Sequence, residues 1–148
     1  MDAPKHILVA YDFSRVAWRA LELAAALRKR LDARVDIVYV LPDTFAGVEH
    51  FPPEATWAAP EQRESWIGQK RSELEEAIRN VFGEAADSVK VHVLRGPPSR
   101  TILGLVDELG ADMVLVGSTG KTGIERALLG SVASSLLRRS HVPVLTVH

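Results

Sequence analysis

Short β-rich apolar runs alternate with segments of helical spacing five times along this chain, and that alternation restricts its fold more than any other feature. Ile7, Leu8, Val9 and Ala10 form an unbroken apolar run ended by Asp12. A run of this kind suits a strand covered on both faces, as in a parallel sheet. From Ser14, a plausible N-cap, the spacing turns helical through Ala17, Leu21, Ala24, Ala25 and Leu31, with Arg28, Lys29 and Arg30 in the last turns, where cations favour the helix dipole. Val35, Ile37, Val38, Val40 and Leu41 make a second run, and Pro42, Gly47, Pro52, Pro53 and Pro60 then punctuate a long irregular segment. Ile67, Leu74, Ile78 and Val81 predict a surface helix between Pro60 and Phe82, with Gly83 suited to its end.

Val89, Val91 and Val93 alternate with Lys90 and His92 in a third strand, an expected sheet edge. After the Gly96-Pro97-Pro98 turn, a helix through Ile102, Leu103, Leu105, Val106 and Leu109 stops at Gly110. Met113 to Val116 is a fourth buried run, closed by Gly117. A glycine-rich loop, a short helix near Ile124 to Leu129, a last helix from Ser131 to Arg139 and a final run Val142 to Val147 complete the pattern. By the right-handed crossover rule the chain is expected to be an α/β protein, a doubly wound parallel sheet of five strands with helices on both faces. Ligands of such sheets bind beyond the carboxyl ends of the strands where the winding reverses. Asp12 and the loop beginning at Gly117 therefore become the first candidates.

Composition narrows the function. A chain of 148 residues and 16.2 kDa is expected to be one domain. Eighteen basic residues against nineteen acidic ones leave a formal charge of -1, without the positive field of a duplex-binding protein, so no nucleic-acid partner is expected. The absence of cysteine excludes thiol chemistry and sulfur-ligated metal sites. No apolar stretch approaches the roughly 20 residues of a membrane span. The apolar stretch before Asp12 is too short for a signal-peptide core, and a cytoplasmic protein without a membrane partner is expected.

Gly117, Gly120 and Gly130 share the segment GSTGKTGIERALLGSV, and Ser131 opens a helix. Gly117 and Gly120 can adopt positive φ and let backbone N–H groups approach an anion, while a helix start supplies unpaired donors and a partial positive charge. Together they could cradle a polyphosphate. The Gly120-Lys121-Thr122 triplet is not a Walker loop, because Leu115 stands where that loop requires glycine, although Lys121 could still reach a phosphate. The dinucleotide fingerprint and the GxSxG elbow are both absent. The five histidines lack metal-ligand spacing and read as surface or strand-end residues, and Trp18, Trp57 and Trp66 read as packing groups. Asp12 either caps the helix that follows or meets a ligand at the strand end.

The segments AYDFS at 10–14, GPPSRTIL at 96–103 and GSTGKTGIERALLGSV at 117–132 resemble the universal stress protein family, across almost the whole chain. Nucleotide-binding members carry a G-x2-G-x9-G-[S/T] pattern, which Gly117, Gly120, Gly130 and Ser131 match at every position. The resemblance implies a UspA-like, Rossmann-like fold of the adenine nucleotide alpha hydrolase type, with strand order 3-2-1-4-5. It implies ATP, with Ala10 and Asp12 beside the base and ribose, Val40 at the adenine, Gly117 at the ribose, and Gly120, Gly130, Ser131 and Val132 at the phosphates. Mg²⁺ is expected with the nucleotide, held by phosphate oxygens and water, with Ser131, Thr122 and Asp12 the only oxygen ligands on offer and no metal site built from protein alone. No catalytic residue is assigned. A homodimer paired through Val142 to Val147 is also implied, and its role would be regulatory or protective under stress. Two alternatives stand beside this reading: a slow ATPase using Lys121 or Arg126, and a nucleotide-free adapter that grips a protein through the Pro42 to Pro60 loop.

Overall fold

The computed structural model describes residues 2–41, 60–119 and 129–148. The expected irregular segment after Pro42, the expected short helix at Ile124 and the residues Gly120, Lys121, Thr122 and Arg126 lie outside that set.

The described elements are β1 (His6–Ala10), α1 (Arg15–Leu31), β2 (Arg34–Leu41), α2 (Pro60–Phe82), a 3-10 helix (Gly83–Ser88), β3 (Lys90–Arg95), α3 (Pro98–Leu109), β4 (Met113–Gly117), α4 (Ser131–Arg139) and β5 (Val144–Val147). All strand pairs are parallel, in the order β3-β2-β1-β4-β5. β1 is central, with Val9 opposite Ile37 of β2 and Leu115 of β4. Its residues are buried throughout, and the pleat sends alternate side chains to two cores. Ile7, Val9 and Tyr11 join Ala17, Ala20, Leu21 and Ala24 of α1 and Leu74 and Ile78 of α2. Leu8 and Ala10 join Ile102, Leu105 and Val106 of α3 and Ala133 and Leu136 of α4. Full burial stabilises each large aliphatic side chain by roughly 1.5–3 kcal/mol, which explains an unbroken apolar β1 rather than an alternating one.

Helix ends follow local chemistry. Ser14 has extended backbone and its Oγ accepts the Ala17 amide at 3.1 Å, so α1 starts where the cap is. Gly110 closes α3 at φ +63°, a left-handed conformation that glycine adopts at little cost. No helix among the described residues is long and apolar enough to cross a membrane.

The last strand is shorter than its apolar run. It starts at Val144 rather than Val142, because the Ser140 hydroxyl accepts the Val142 amide at 3.1 Å and donates to the Val142 carbonyl at 2.8 Å, closing a turn. Pro143 enters only through its carbonyl, which accepts the Val114 amide at 2.9 Å. β3 is an edge, as its alternation predicts, and β5 is the other.

Two histidines are less exposed than a surface residue would be, although His6, the first residue of β1, is at a strand end as expected. His6 is buried and His92 half-buried, and both turn to the fully buried Asp36 of β2. His92 Nε2 lies 2.8 Å from Asp36 Oδ2 and His6 Nε2 3.2 Å from Oδ1, while Arg34 donates through Nε at 2.8 Å and a terminal nitrogen at 3.0 Å. One carboxylate thus gathers side chains of β1, β2 and β3. Burial alone would raise its pKa, but hydrogen bonds from Arg34 and His92 and the charges of Arg34 and His6 outweigh that and hold it below the ordinary value.

Candidate functional site

β1 stands where the winding reverses, with β2 on one side and β4 on the other, so the ends of these three strands frame the crevice in which an open α/β sheet places ligands. Ala10 ends β1 between Val38 and Val116, and the Tyr11 amide still reaches the Val38 carbonyl at 2.9 Å. The chain then turns sharply. Asp12 Oδ1 accepts the Ser14 amide at 2.9 Å, and Phe13 between them is left-handed at φ +64°. Such a conformation costs a side-chain-bearing residue roughly 1–2 kcal/mol. The helix cap is therefore Ser14, and Asp12 fixes the cap residue rather than capping α1 itself. Among the described residues nothing donates to Asp12 Oδ2, and the side chain is half-buried.

Aromatic rings cluster around Phe13, the residue that follows Asp12. Phe13 meets Tyr11 and Tyr39 edge to face, at 5.1 Å each, and Trp66 of α2 lies 6.3 Å from Tyr39. Burial first, and the Asp12 charge second, push the Tyr11 phenol up to about 12. Burial, Asp12 and Glu73 do the same for Tyr39. Both phenols stay neutral at physiological pH.

The end of β4 corrects one expectation. Gly117 does not use positive φ; the described glycines that do are Gly83, Gly96 and Gly110. What requires glycine at 117 is α1: a Cβ there would lie 2.7 Å from Val16 Cγ2, 3.2 Å from the Ala17 nitrogen and 3.3 Å from the Val16 carbonyl carbon. Gly117 lets the first turn of α1 close on the end of β4. Gly130, too, has an ordinary extended backbone, at φ -61° and ψ 157°.

Beyond Gly117, the Ser118 amide pairs with the Val147 carbonyl at 2.8 Å, and the Ser118 carbonyl accepts the Gly130 amide at 2.6 Å. That second bond sets the N-terminus of α4 beside the end of β4. Gly130 is the N-cap and has no side chain to offer, no side-chain hydrogen bond among the described residues caps the helix, and its first turn carries no acid. The amides of Ser131, Val132 and Ala133 are thus left without helical partners at the positive end of the dipole.

Ala10 and Val40 are buried in one apolar cluster, against which Val132 packs. Asp12 and Gly117 leave neighbouring strands, and Gly130 and Ser131 are brought to them through Ser118. Of the residues predicted from the glycine pattern, Gly120 alone lies outside the described set. The aromatic cluster was missed by sequence reasoning, although Tyr11 and Phe13 flank Asp12 in the chain. Among the described residues no group of three or more histidines or carboxylates could hold a metal.

The chain is thus a doubly wound α/β protein in which, among the described residues, no side chain caps the helix that opens beside the end of β4, a geometry suited to an anion. Within that class the chain belongs to the universal stress protein family, whose model matches residues 4–148. A universal stress protein of Methanocaldococcus jannaschii is 35% identical over 147 residues, covering 97% of this chain and 81% of the relative. The universal stress protein UspA from Lactobacillus plantarum shares the fold with a TM-score of 0.81 at 21% identity, each chain fully covered. A universal stress protein solved in complex with cAMP matches with a TM-score of 0.68 at 27% identity, over 99% of this chain and 98% of that one.

Proposed function

We propose that the chain acts as one universal stress protein domain that binds ATP in the crevice between β1, β2 and β4 and serves a regulatory or protective role in the cytoplasm. The observation that carries this reading is the open N-terminus of α4, fixed by Gly130 against Ser118 at 2.6 Å. Three amides without helical partners at the start of a helix whose first turn holds no acid suit the phosphate chain of a nucleotide. Gly130, Ser131 and Val132 hold the phosphates together with Gly120, Gly117 borders the ribose, Ala10 and Val40 give the base an apolar wall, and Asp12 accepts a ribose hydroxyl. The relative bound to cAMP supports an adenine nucleotide as the ligand class.

Mg²⁺ would travel with the ATP. The Ser131 and Thr122 hydroxyls and the Asp12 carboxylate are the oxygen ligands this reading offers it, too few for a cation site without phosphate oxygens. The protein pairs as a homodimer through β5, an edge strand on which Leu145 is 39% exposed. Heat denaturation of the purified protein, followed by mass spectrometry of what is released, tests the ligand. ATP near one equivalent per chain supports the reading, whereas protein that holds no nucleotide and gains no thermal stability from added ATP overturns it.

A further inference from the structure

Phe13 adopts a backbone that phenylalanine avoids, and its ring is held on several sides. Tyr11 and Tyr39 meet it edge to face at 73° and 76°, and Lys70 of α2 places Nζ 4.7 Å above the ring centroid. Lys70 is itself fixed: Nζ lies 2.7 Å from Glu73 Oε2 and 5.5 Å from the Trp66 ring, which in turn leans on Tyr39. A cation over an aromatic face is attracted by the ring quadrupole, and more strongly where water is partly excluded, as at this half-buried lysine. The clamp bears on the one residue between Asp12 and the Ser14 amide that Asp12 accepts. A right-handed or extended Phe13 would change the direction of the chain there and break that hydrogen bond.

We propose that Phe13, clamped by Tyr11, Tyr39 and Lys70, is a positioning residue that aims the Asp12 carboxylate at the ribose, so that α2 sets the crevice's affinity for nucleotide. This rests on the nucleotide reading above. Through it, ribose recognition depends on α2, a helix to which the nucleotide reading assigns no ligand contact, and anything that shifts Lys70 or Trp66 alters binding at Asp12.

The test is a double-mutant cycle read by calorimetric titration with Mg-ATP, using Asp12→Asn with Phe13→Gly and, separately, with Lys70→Met. Glycine tolerates φ +64° but no longer enforces it, and Lys70→Met leaves the turn's own side chains intact. In the wild-type background each change should raise Kd, Phe13→Gly by about tenfold, as expected when a hydrogen-bonding group is misplaced. In the Asp12→Asn background each should alter Kd by less than about twofold, because their effects are not independent. Phe13→Tyr, which keeps the ring, should bind as the wild type does. Packing alone would lower the melting temperature equally in both backgrounds and leave the affinity costs additive, and additive costs overturn the proposal while ATP binding stands. If wild-type protein binds no ATP, the nucleotide reading falls and this inference with it.

Discussion

The Gly130 amide donates to the Ser118 carbonyl at 2.6 Å, which ties the first residue before α4 to the first residue after β4. Eleven residues separate the two in sequence, yet this bond places the positive end of α4 at the mouth of the sheet, next to the strand on which Asp12 follows. The geometry of the proposed site hangs on this tie and on the close seat of α1 at Gly117.

The N-terminus of α4 allows stability and binding to be driven apart. Ser131→Asp puts a carboxylate in a first turn that has none, and should stabilise the ligand-free protein by about 0.5 kcal/mol through the helix dipole. The same charge should repel the phosphates and remove most of the thermal stabilisation by Mg-ATP. Melting curves with and without nucleotide read both effects in one experiment.

At Gly117 the demand is steric. Gly117→Ala should destabilise the protein by about 1–3 kcal/mol, since its Cβ would press on the Ala17 nitrogen and the Val16 carbonyl carbon, which move only with α1. Gly68→Ala and Gly104→Ala are the controls. Both sit inside helices with nothing within 4 Å of the new atom, so each should stabilise by about 0.5–1 kcal/mol. Denaturant midpoints distinguish the three.

Asp36 should make the fold acid-sensitive. Its carboxyl is held below the ordinary value of 3.8, so it contributes stability above that value that is lost as pH falls through its lower folded-state value. Asp36→Ala leaves His92 and Arg34 without their shared acceptor, removes the carboxylate that faces His6, and should cost about 3 kcal/mol at neutral pH, the scale of a broken buried pair. Urea titrations of wild type and variant from pH 7 to pH 2 should converge at the acid end.

The phenols set the opposite limit. Tyr11 and Tyr39 are raised from 10.0 to about 12, so the folded state keeps protons that the unfolded chain releases above pH 10. Stability should hold up to that point and fall between pH 10 and 12. Tyr39→Phe should make this decline shallower, as measured by denaturant unfolding across the range.

Much of this architecture is legible in the chain because burial on both faces leaves an unbroken apolar run, whereas a strand with one face in water alternates. Ile7 to Ala10 and Met113 to Val116 announce central strands in this way, and the alternation of Val89, Lys90, Val91 and His92 announces an edge. Ser14, Gly83 and Gly110 mark helix ends through cap and turn chemistry that acts within a few residues. The reason for glycine at 117 was misread, since the atom it makes room for belongs to Val16, far away in the sequence, and no local pattern encodes such an approach. The Asp36 cluster was hidden for the same reason: an acid within Val35 to Leu41 gains its partners only when β1 and β3 pair beside it. Val142 and Pro143 looked like strand because apolar content alone does not register the turn closed by the Ser140 hydroxyl.

Backbone amide NMR during a titration with Mg-ATP tests the central claim most directly. The Ser131 and Val132 amide resonances should move furthest and saturate together with ATP, at one equivalent per chain. Resonances at the start of α4 that stay in place while ATP is added to saturation would contradict a phosphate seat there.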